Sequence, residues 1–172
     1  MVAEIETTVK DVYGRFKDAP WFAQGPQEII IGGAGGIGSW VALALARASH
    51  ILHIYDMDDY DLSNVAGQFV SLSAIGKNKA EALKQQLSAF CDEPDISTYG
   101  RFDEEGGMAT PIMISAFDNM SARKLMFEKW SSLEDREIFI DGRQGPEHGT
   151  IFAVLKGQES QYKESLFDDG EV

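Results

Sequence analysis

Glycine residues are crowded into one short segment of the chain, where a predicted strand gives way to a predicted helix. The segment reads Gly33-Ala34-Gly35-Gly36-Ile37-Gly38 and matches the pattern GxGxxG. Glycines in this pattern allow a tight turn, close approach of the backbone to a phosphate, and close packing of helix on strand. The start of the helix adds unpaired N–H groups and a partial positive charge. The segment therefore predicts a site for a phosphate-bearing ligand.

A carboxylate stands where a nucleotide-binding domain of this kind needs one. Asp56 ends the next predicted strand, about 20 residues beyond the glycines, where its side chain can accept a hydrogen bond from a ribose hydroxyl. The alternative is a glycine turn that only packs the helix against the strand. Because the glycines and Asp56 occur together in the order strand, turn, helix, strand, we favour nucleotide binding. Which nucleotide is bound stays open.

Polar residues continue beyond Asp56 in a segment rich in aspartate. Asp58 lies in this segment, and for the other two aspartates, Asp59 and Asp61, a solvated loop is the better interpretation. The segment continues as Ser-Asn-x-x-x-Gln, with Asn64 and Gln68 at two of the polar positions. Either residue alone is typical of a turn, but a dehydrogenase has no obvious use for the whole pattern.

Two further charged residues stand near predicted element ends. Lys79 lies near the start of a predicted helix and could neutralise a phosphate, although a solvated surface lysine is the simpler interpretation of the residue alone. Asp118 follows the fourth predicted strand, at the edge where open α/β sheets bind their ligands. Asp118 could also cap the helix that is predicted to begin at Met120.

Short apolar runs alternate with helical patterns along most of the chain. Runs typical of buried strands cover residues 28–32, 51–56, 95–99, 111–116, 137–141 and 150–155. Helical patterns cover residues 36–48, 77–90 and 120–130, and an amphipathic pattern at 4–17 predicts a further short helix. In the helix at 77–90 the predicted core residues are Ala80, Leu83, Leu87 and Phe90.

This alternation predicts a Rossmann-like α/β fold, a doubly wound and mostly parallel sheet with helices on both faces. The final strand follows a Gly/Pro loop without an intervening helix, so we expect it to run antiparallel at the C-terminal end of the sheet. The predicted organisation is an N-terminal helix and linker at 1–27, a nucleotide-binding domain at 28–160 and an acidic tail at 161–172.

The overall composition argues against several classes of function. The chain has 172 residues and a formal net charge of −13, which argues against a duplex nucleic-acid binder and against an anionic membrane surface. Its one cysteine, Cys91, permits neither an internal disulfide nor a CxxC zinc site. No apolar run approaches the ~18–20 residues of a membrane helix. We therefore expect a cytoplasmic protein without nucleic-acid or membrane partners.

Taken in order, these motifs resemble those of the ThiF/MoeB and ubiquitin-activating-enzyme superfamily. The family pattern is GxGGxGS after the first strand, D-x-D after the second, then Ser-Asn-Leu-x-Arg-Gln, Gly-x-x-Lys and a final Asp-Asn. The chain supplies the corresponding segments at residues 33–39, 56–58, 63–68, 76–79 and 118–119. The resemblance covers about residues 28–155.

The resemblance implies an adenylyltransferase that uses ATP and Mg²⁺. Such an enzyme activates the C-terminal carboxylate of a ubiquitin-like or sulfur-carrier protein or peptide. Carried over position by position, the resemblance implies that Asp56 holds the ribose and that Asp58 lies in the same nucleotide-binding loop. The nucleotide-binding glycines would be Gly33, Gly35, Gly36 and Gly38.

The remaining motifs carry the phosphate chemistry in the family. By resemblance, Asn64 and Gln68 would contact the phosphates or order the loop. Lys79 would be the cation beside the phosphates, and Asp118 would be a Mg²⁺ ligand. Arg15, in the predicted N-terminal helix, would correspond to an arginine that family members lend across a dimer interface, which also implies a homodimer.

The chain departs from the family pattern at one position that normally carries charge. Gly67 stands where the family has an arginine beside the glutamine, so full adenylation activity needs a replacement cation. Lys77, Arg123 or Arg143 could supply it. Arg143 could equally receive an incoming carboxylate in a substrate channel or form a salt bridge within its turn.

Three hypotheses about function remain. The first is adenylation of a carboxylate, and the second is a non-catalytic nucleotide-binding or scaffold member of the same fold, which Gly67 favours. The third is an NAD- or FAD-dependent oxidoreductase, indicated by the glycine pattern with Asp56. Binding of ATP without turnover would favour the second hypothesis, and binding of NAD without ATP would favour the third.

Overall fold

One six-stranded sheet organises the chain, and the computed structural model describes residues 14, 18–20 and 25–168. The strands are β1 (Glu28–Gly32), β2 (Ile51–Tyr55), β3 (Ile96–Tyr99), β4 (Ile112–Ser115), β5 (Ile138–Gln144) and β6 (Gly149–Leu155). The helices are α1 (Gly38–Arg47), α2 (Lys79–Leu87), α3 (Met120–Ser131) and α4 (Glu159–Lys163). Short 3₁₀ helices lie at Leu62–Ala66 and Leu72–Ala74.

The strand order is β3-β2-β1-β4-β5-β6. Strands β1 to β5 are parallel, and β6 runs antiparallel to β5. Because β1 pairs with β2 on one side and with β4 on the other, the order of the strands reverses at β1. In open α/β sheets such a reversal leaves a crevice outside the carboxyl ends of the strands. The predicted Rossmann-like fold with an antiparallel final strand is confirmed.

Apolar side chains form a separate cluster on each face of the sheet. On one face, Ile31 belongs to a cluster with α1 and α2 that includes Leu83. On the other, Phe139 packs with Trp130 of α3 and Tyr162 of α4. Parallel strands covered on both faces read as continuous apolar runs, which is why the sequence pattern located them.

Helix α2 is shorter than the pattern predicts. It ends at Leu87, and Phe90 is 54% exposed, so the prediction of Phe90 as a core residue was wrong. Once the chain leaves the helix, the 3.6-residue period no longer directs a side chain inward. Phe90 instead stands edge-on to Phe69, with ring centroids 5.3 Å apart.

The C-terminal segment contributes to the core through a helix that the sequence pattern did not predict. Tyr162 of α4 lies in the segment predicted as an acidic tail, yet it is only 2% exposed. Arg15 and nearly all of the predicted helix at 4–17 lie outside the described residues. Within the described part of the chain, no helix has the length and apolar character needed to cross a membrane.

Candidate functional site

A cavity of about 820 Å³ opens at the carboxyl edge of the sheet, beside the reversal at β1. Its volume falls in the range of small-molecule sites, roughly 300–1,000 Å³. The predicted site residues that line it are Gly33, Gly35, Gly36, Asp56, Asp58, Gln68, Lys79 and Asp118. Gly38 and Asn64 do not line it. The fold therefore brings together most of the described residues that the motifs single out.

Two glycines of the loop have packing roles. Gly33 has a φ of +94°, a backbone conformation that favours glycine, and a Cβ there would lie 2.6 Å from the carbonyl oxygen of Ala116. A Cβ on Gly38 would overlap the carbonyl oxygen of Gly33. These two glycines let α1 begin directly against the end of β1. They account for the part of the motif that closes the turn.

Gly35 differs, because no residue in the described part of the chain packs closely against its open side. The nearest atom to a Cβ at this position would be Gln68 Nε2, at 3.9 Å. Gly36 is intermediate, since a Cβ there would meet the movable tip of Gln144 at 2.9 Å. Gly35 lines the cavity beside the first turn of α1, where its own carbonyl accepts from the N–H of Ser39 at 3.1 Å. The space that a Cβ would fill is therefore available to a ligand.

Asp56 is held rigidly at the end of β2. Its Oδ2 accepts a hydrogen bond from the backbone N–H of Ala34 at 2.7 Å, and its Oδ1 accepts one from Asp58 at 2.9 Å. Burial raises the pKa of Asp56, while these backbone donors lower it. A carboxylate oxygen can accept more than one hydrogen bond, so Asp56 keeps acceptor capacity on the cavity side. Asp56 thus connects the glycine loop with the segment at Asp58, and its carboxylate can still accept a hydrogen bond from a ribose hydroxyl.

Lys79 reaches the cavity from the first residue of α2. Its Nζ lies 3.3 Å from Asp58 Oδ2, and its backbone N–H donates to the carbonyl of Asp58 at 2.8 Å. Asn78 caps the helix by accepting from Glu81 N and also donates to the carbonyl of Asp56. The Lys79 side chain is only 13% exposed, so the interpretation as a solvated surface lysine is wrong.

Asn64 and Gln68 have separate roles. Asn64 Oδ1 accepts from the backbone N–H of Asp61 at 3.0 Å in a reciprocal capping box, so it orders the loop. Gln68 lines the cavity, and its buried Oε1 has no hydrogen-bond partner among the residues that the structure describes. Buried polar atoms are seldom left without partners, and the Nε2 of the same amide faces the space beside Gly35. Of the two, Gln68 is therefore the candidate ligand contact.

Asp118 is not the helix cap. Asn119 caps α3, accepting from the N–H of Ala122 at 2.9 Å, so the capping alternative for Asp118 is wrong. The side chain of Asp118 is exposed and lines the cavity. Asn119 Nδ2 lies 3.4 Å from Asp118 Oδ1. The residue next to Asp118 thus starts the helix and leaves the Asp118 carboxylate available to a ligand.

None of the three candidate replacement cations both lines the cavity and lacks a carboxylate partner. Arg123 and Arg143 both pair with the buried carboxylate of Asp141. Arg143 lies in β5 and also donates to the carbonyl of Ser165, so its guanidinium is engaged by groups of the fold. Lys77 borders a separate groove of about 650 Å³.

Sequence reasoning missed one cation in the cavity. Arg101 lines it just after β3, and its Nε lies 3.2 Å from Met57 Sδ. Arg101 follows its strand as Asp56 and Asp118 follow theirs, so position at the carboxyl edge was a usable signal. Gly67, at the family's arginine position, is exposed, and its carbonyl accepts from Trp40 Nε1 at 3.0 Å.

The cavity lining is acidic overall. Its carboxylates are Asp56, Asp58, Asp103, Glu104 and Asp118, against the cations Lys79, Arg101 and Arg123. In the described part of the chain, no three His, Cys, Asp or Glu side chains form a group that could hold a metal ion. Mg²⁺ commonly takes one or two protein carboxylates and completes its shell with phosphate oxygens and water. The exposed carboxylate of Asp118 fits that limited role.

The chain belongs to the ThiF family, whose model matches residues 25–169. It is 36% identical over 125 residues to the tRNA threonylcarbamoyladenosine dehydratase of Haemophilus influenzae, covering 68% of this chain and 48% of the relative. It is 26% identical over 144 residues to the SUMO-activating enzyme subunit uba-2 of Caenorhabditis elegans, covering 79% and 24%. A third relative is the Nedd8-activating enzyme E1 catalytic subunit of Drosophila melanogaster, 27% identical over 165 residues, covering 86% and 37%.

Solved structures share the fold. A structure titled E. coli MccB with MccA-N7isoASN has a TM-score of 0.61 at 20% identity, covering 77% of this chain and 41% of that one. The structure of PaaA has a TM-score of 0.57 at 23% identity, covering 70% and 38%. The chain thus spans between a quarter and a half of the length of the relatives and structures it matches.

Proposed function

We propose that the protein binds Mg·ATP in the cavity and transfers the adenylyl group to a carboxylate. The observation that carries this proposal is the grouping of Gly35, Gln68, Lys79 and Asp118 around one space. The open side of Gly35 leaves room for a phosphate, and the amide of Gln68 has its Nε2 near that space and, among the described residues, a buried Oε1 without a partner. An oxidoreductase would have no evident use for Lys79 and Asp118 at this position.

The chemistry needs positioning and neutralisation of negative charge rather than a nucleophile from the protein. An oxygen of the incoming carboxylate forms a bond to the α-phosphorus of ATP, and the bond from that phosphorus to the bridging oxygen breaks. Pyrophosphate leaves, and the acyl-adenylate remains. Mg²⁺ would neutralise charge on the phosphates as a Lewis acid.

Each site residue has a defined part in this scheme. Lys79 would stabilise the charge that develops on the phosphates, with Asp58 holding its ammonium group in place. Asp56 would accept a hydrogen bond from the ribose. Asp118 would hold Mg²⁺, and Gln68 would accept a hydrogen bond from the ligand or from a bound water.

We propose the C-terminus of a small ubiquitin-like or sulfur-carrier-like protein or peptide as the carboxylate substrate. The names of two relatives, the SUMO-activating and Nedd8-activating enzyme subunits, support this class of acceptor. A third relative is named for a modified tRNA nucleoside. The net charge of −13 disfavours a tRNA substrate for this chain, because binding a polyanion requires cationic contacts.

We propose that the protein forms a homodimer through the part of the sheet that the described residues leave uncovered. On one face of β5 and β6, Ile138 lies opposite Leu155, and Ile140 lies opposite Ala153. Leu155 is 50% exposed, and Ile151, further along β6, is 77% exposed. Edge strands usually carry charges or proline that discourage pairing, whereas β6 contains neither. A second copy of the chain would cover this surface.

Pyrophosphate exchange tests the proposed activity. The protein is incubated with Mg·ATP, labelled pyrophosphate and a panel of C-terminal peptides, and the label entering ATP is measured. We expect exchange that depends on a free peptide carboxylate and is lost in Asp118→Ala, while a peptide amide gives none. Absence of exchange at saturating Mg·ATP, with Asp118→Ala indistinguishable from wild type, contradicts catalysis. Pyrophosphate exchange that requires added tRNA would indicate a tRNA substrate instead of a protein or peptide carboxylate.

A non-catalytic role is the second candidate, because Gly67 removes a charge that the family uses. Calorimetry separates the two functions. A scaffold would bind ATP without catalysing pyrophosphate exchange, or would bind no nucleotide. The adenylating enzyme would bind ATP and catalyse the exchange. Tight binding of NAD without ATP would instead favour an oxidoreductase.

A further inference from the structure

A buried cluster of charged residues lies behind the cavity, around the carboxylate of Asp141 in β5. Asp141 is completely buried. Its Oδ1 accepts from Arg123 Nη1, and its Oδ2 accepts from Arg143 Nε at 2.7 Å and from Tyr162 Oη at 2.9 Å. Arg123 is itself only 6% exposed. One carboxylate therefore holds two guanidinium groups and a phenol from α3, β5 and α4.

Arg123 joins two strands beyond the point where their ladder ends. The last register pair between β4 and β5 is Ser115 opposite Asp141. Past that pair, Arg123 Nη2 donates to the carbonyl of Phe117, and Nη1 donates to the carbonyl of Gly142 at 3.0 Å. Phe117 and Gly142 both line the cavity, and Phe117 immediately precedes Asp118. The guanidinium thus fixes the backbone from which Asp118 projects.

Charge neutralisation of Asp141 does not by itself explain why the cluster contains two arginines. Arg123 alone would neutralise Asp141, and a second, partly buried guanidinium adds a desolvation cost. Arg143 extends the cluster into the segment after α4, where Nη1 donates to the carbonyl of Ser165 at 2.9 Å and Nη2 contacts Ser165 Oγ at 3.0 Å. Its guanidinium also lies 4.5 Å from the ring centre of Phe152. The C-terminal helix is therefore connected to the turn that carries Asp118.

We propose that Arg123 and Asp141 are positioning residues for the metal-ligating turn at Asp118, and that Arg143 and Tyr162 of β5 and α4 hold them in place. The inference rests on the proposed function, since it assigns these residues to the Mg·ATP site. They touch no reacting atom. They set the position of the Asp118 backbone, and through it the geometry with which the carboxylate meets Mg²⁺.

The test measures Mg²⁺ dependence without turnover. Thermal unfolding is followed at saturating ATP while Mg²⁺ is varied, and the Mg²⁺ concentration that gives half of the ATP-dependent rise in Tm is recorded. Arg123→Lys keeps the charge but cannot bridge both carbonyls and the carboxylate. Tyr162→Phe keeps the buried ring and removes one hydrogen bond to Asp141, so it remains informative if Arg123→Lys does not fold.

Two matched controls separate positioning from general stability. Arg136→Lys weakens the contact of Arg136 with Glu159, which also anchors α4 but lies outside the cluster. Tyr99→Phe removes a phenol that contacts His53 Nδ1 at 3.2 Å, away from the cavity. Both controls are expected to lower Tm without changing the half-saturating Mg²⁺ concentration.

We expect Arg123→Lys to raise the half-saturating Mg²⁺ concentration about 10-fold, the lower end of the usual effect of residues that orient metal ligands. Tyr162→Phe should raise it by a smaller factor. An unchanged Mg²⁺ dependence in folded Tyr162→Phe and Arg123→Lys, with a clear shift in Asp118→Ala, would overturn the inference and leave the proposed function standing. No shift in Asp118→Ala overturns both the metal assignment and the inference. Failure of the wild-type protein to bind ATP overturns the proposed function itself.

Discussion

Substitution of Gly35 by alanine should separate nucleotide binding from folding. Within residues 25–168, a Cβ at Gly35 would have no neighbour closer than 3.9 Å, and Gly35 does not have a positive φ. We therefore expect the unfolding free energy of Gly35→Ala to lie within about 1 kcal/mol of wild type, because alanine also restricts the unfolded chain. Gly38→Ala is the matched contrast, since its Cβ would overlap the carbonyl oxygen of Gly33. That overlap should cost about 1–3 kcal/mol or more.

The loss of affinity follows from the space that the new methyl group occupies. A phosphate in the cradle at Gly35 would be displaced from the neighbouring backbone N–H groups. Losing one charge-assisted hydrogen bond costs about 1.5–3 kcal/mol. At about 1.4 kcal/mol per factor of ten, this corresponds to roughly 10- to 150-fold weaker binding of Mg·ATP.

Urea unfolding and calorimetry with Mg·ATP together check this prediction. Gly35→Ala should unfold at nearly the wild-type urea concentration and bind Mg·ATP weakly. Wild-type affinity in a folded Gly35→Ala protein would refute the assignment of this space to a phosphate. A destabilisation equal to that of Gly38→Ala would refute the distinction between the two glycines.

Three further changes test the charges of the site and of α4. Lys79→Ala should weaken Mg·ATP binding by about 1.5–3 kcal/mol in calorimetry, whereas urea unfolding should change by under about 1 kcal/mol because the partner Asp58 is half exposed. Gly67→Arg should strengthen Mg·ATP binding about 10-fold relative to Gly67→Ala, since a guanidinium can pair with phosphate and a Cβ at this position would meet no atom of the described residues within 4 Å; equal affinities would count against it. Backbone donors and Arg136 lower the pKa of Glu159 from 4.5 to about 2. Ionised Glu159 therefore stabilises the fold fully at pH values above the pKa of the unfolded chain, and this stabilisation is lost as the pH falls to about 2. Urea unfolding of Glu159→Gln should therefore differ from wild type near pH 7 and converge with it at the acidic end.

The glycine loop, the strands and Asp56 could be predicted because each depends on neighbours in sequence. Hydrophobic period and turn chemistry are local properties, and parallel strands place their carboxyl ends at one edge. The partners of Arg123 and Arg143 could not be predicted in the same way. Both arginines meet Asp141, and choosing between that carboxylate and a ligand requires knowing how α3 and α4 pack on the sheet. Helix α4 was missed because its five residues are too few to show a period.

The balance of charge in the cavity determines how it could bind a nucleotide without the family arginine. The lining carries five carboxylates and three cations, and Arg123, one of those cations, is committed to a buried carboxylate. Lys79 and Arg101 remain, and Lys79 already shares its charge with Asp58. Polyphosphate alone would therefore meet net repulsion, whereas a divalent cation held by Asp118 would reverse it. If this account is right, Mg²⁺ contributes more to ATP affinity here than in a variant with arginine at position 67. Titration of ATP with and without Mg²⁺ in wild type and Gly67→Arg should therefore show a smaller Mg²⁺ effect in the variant.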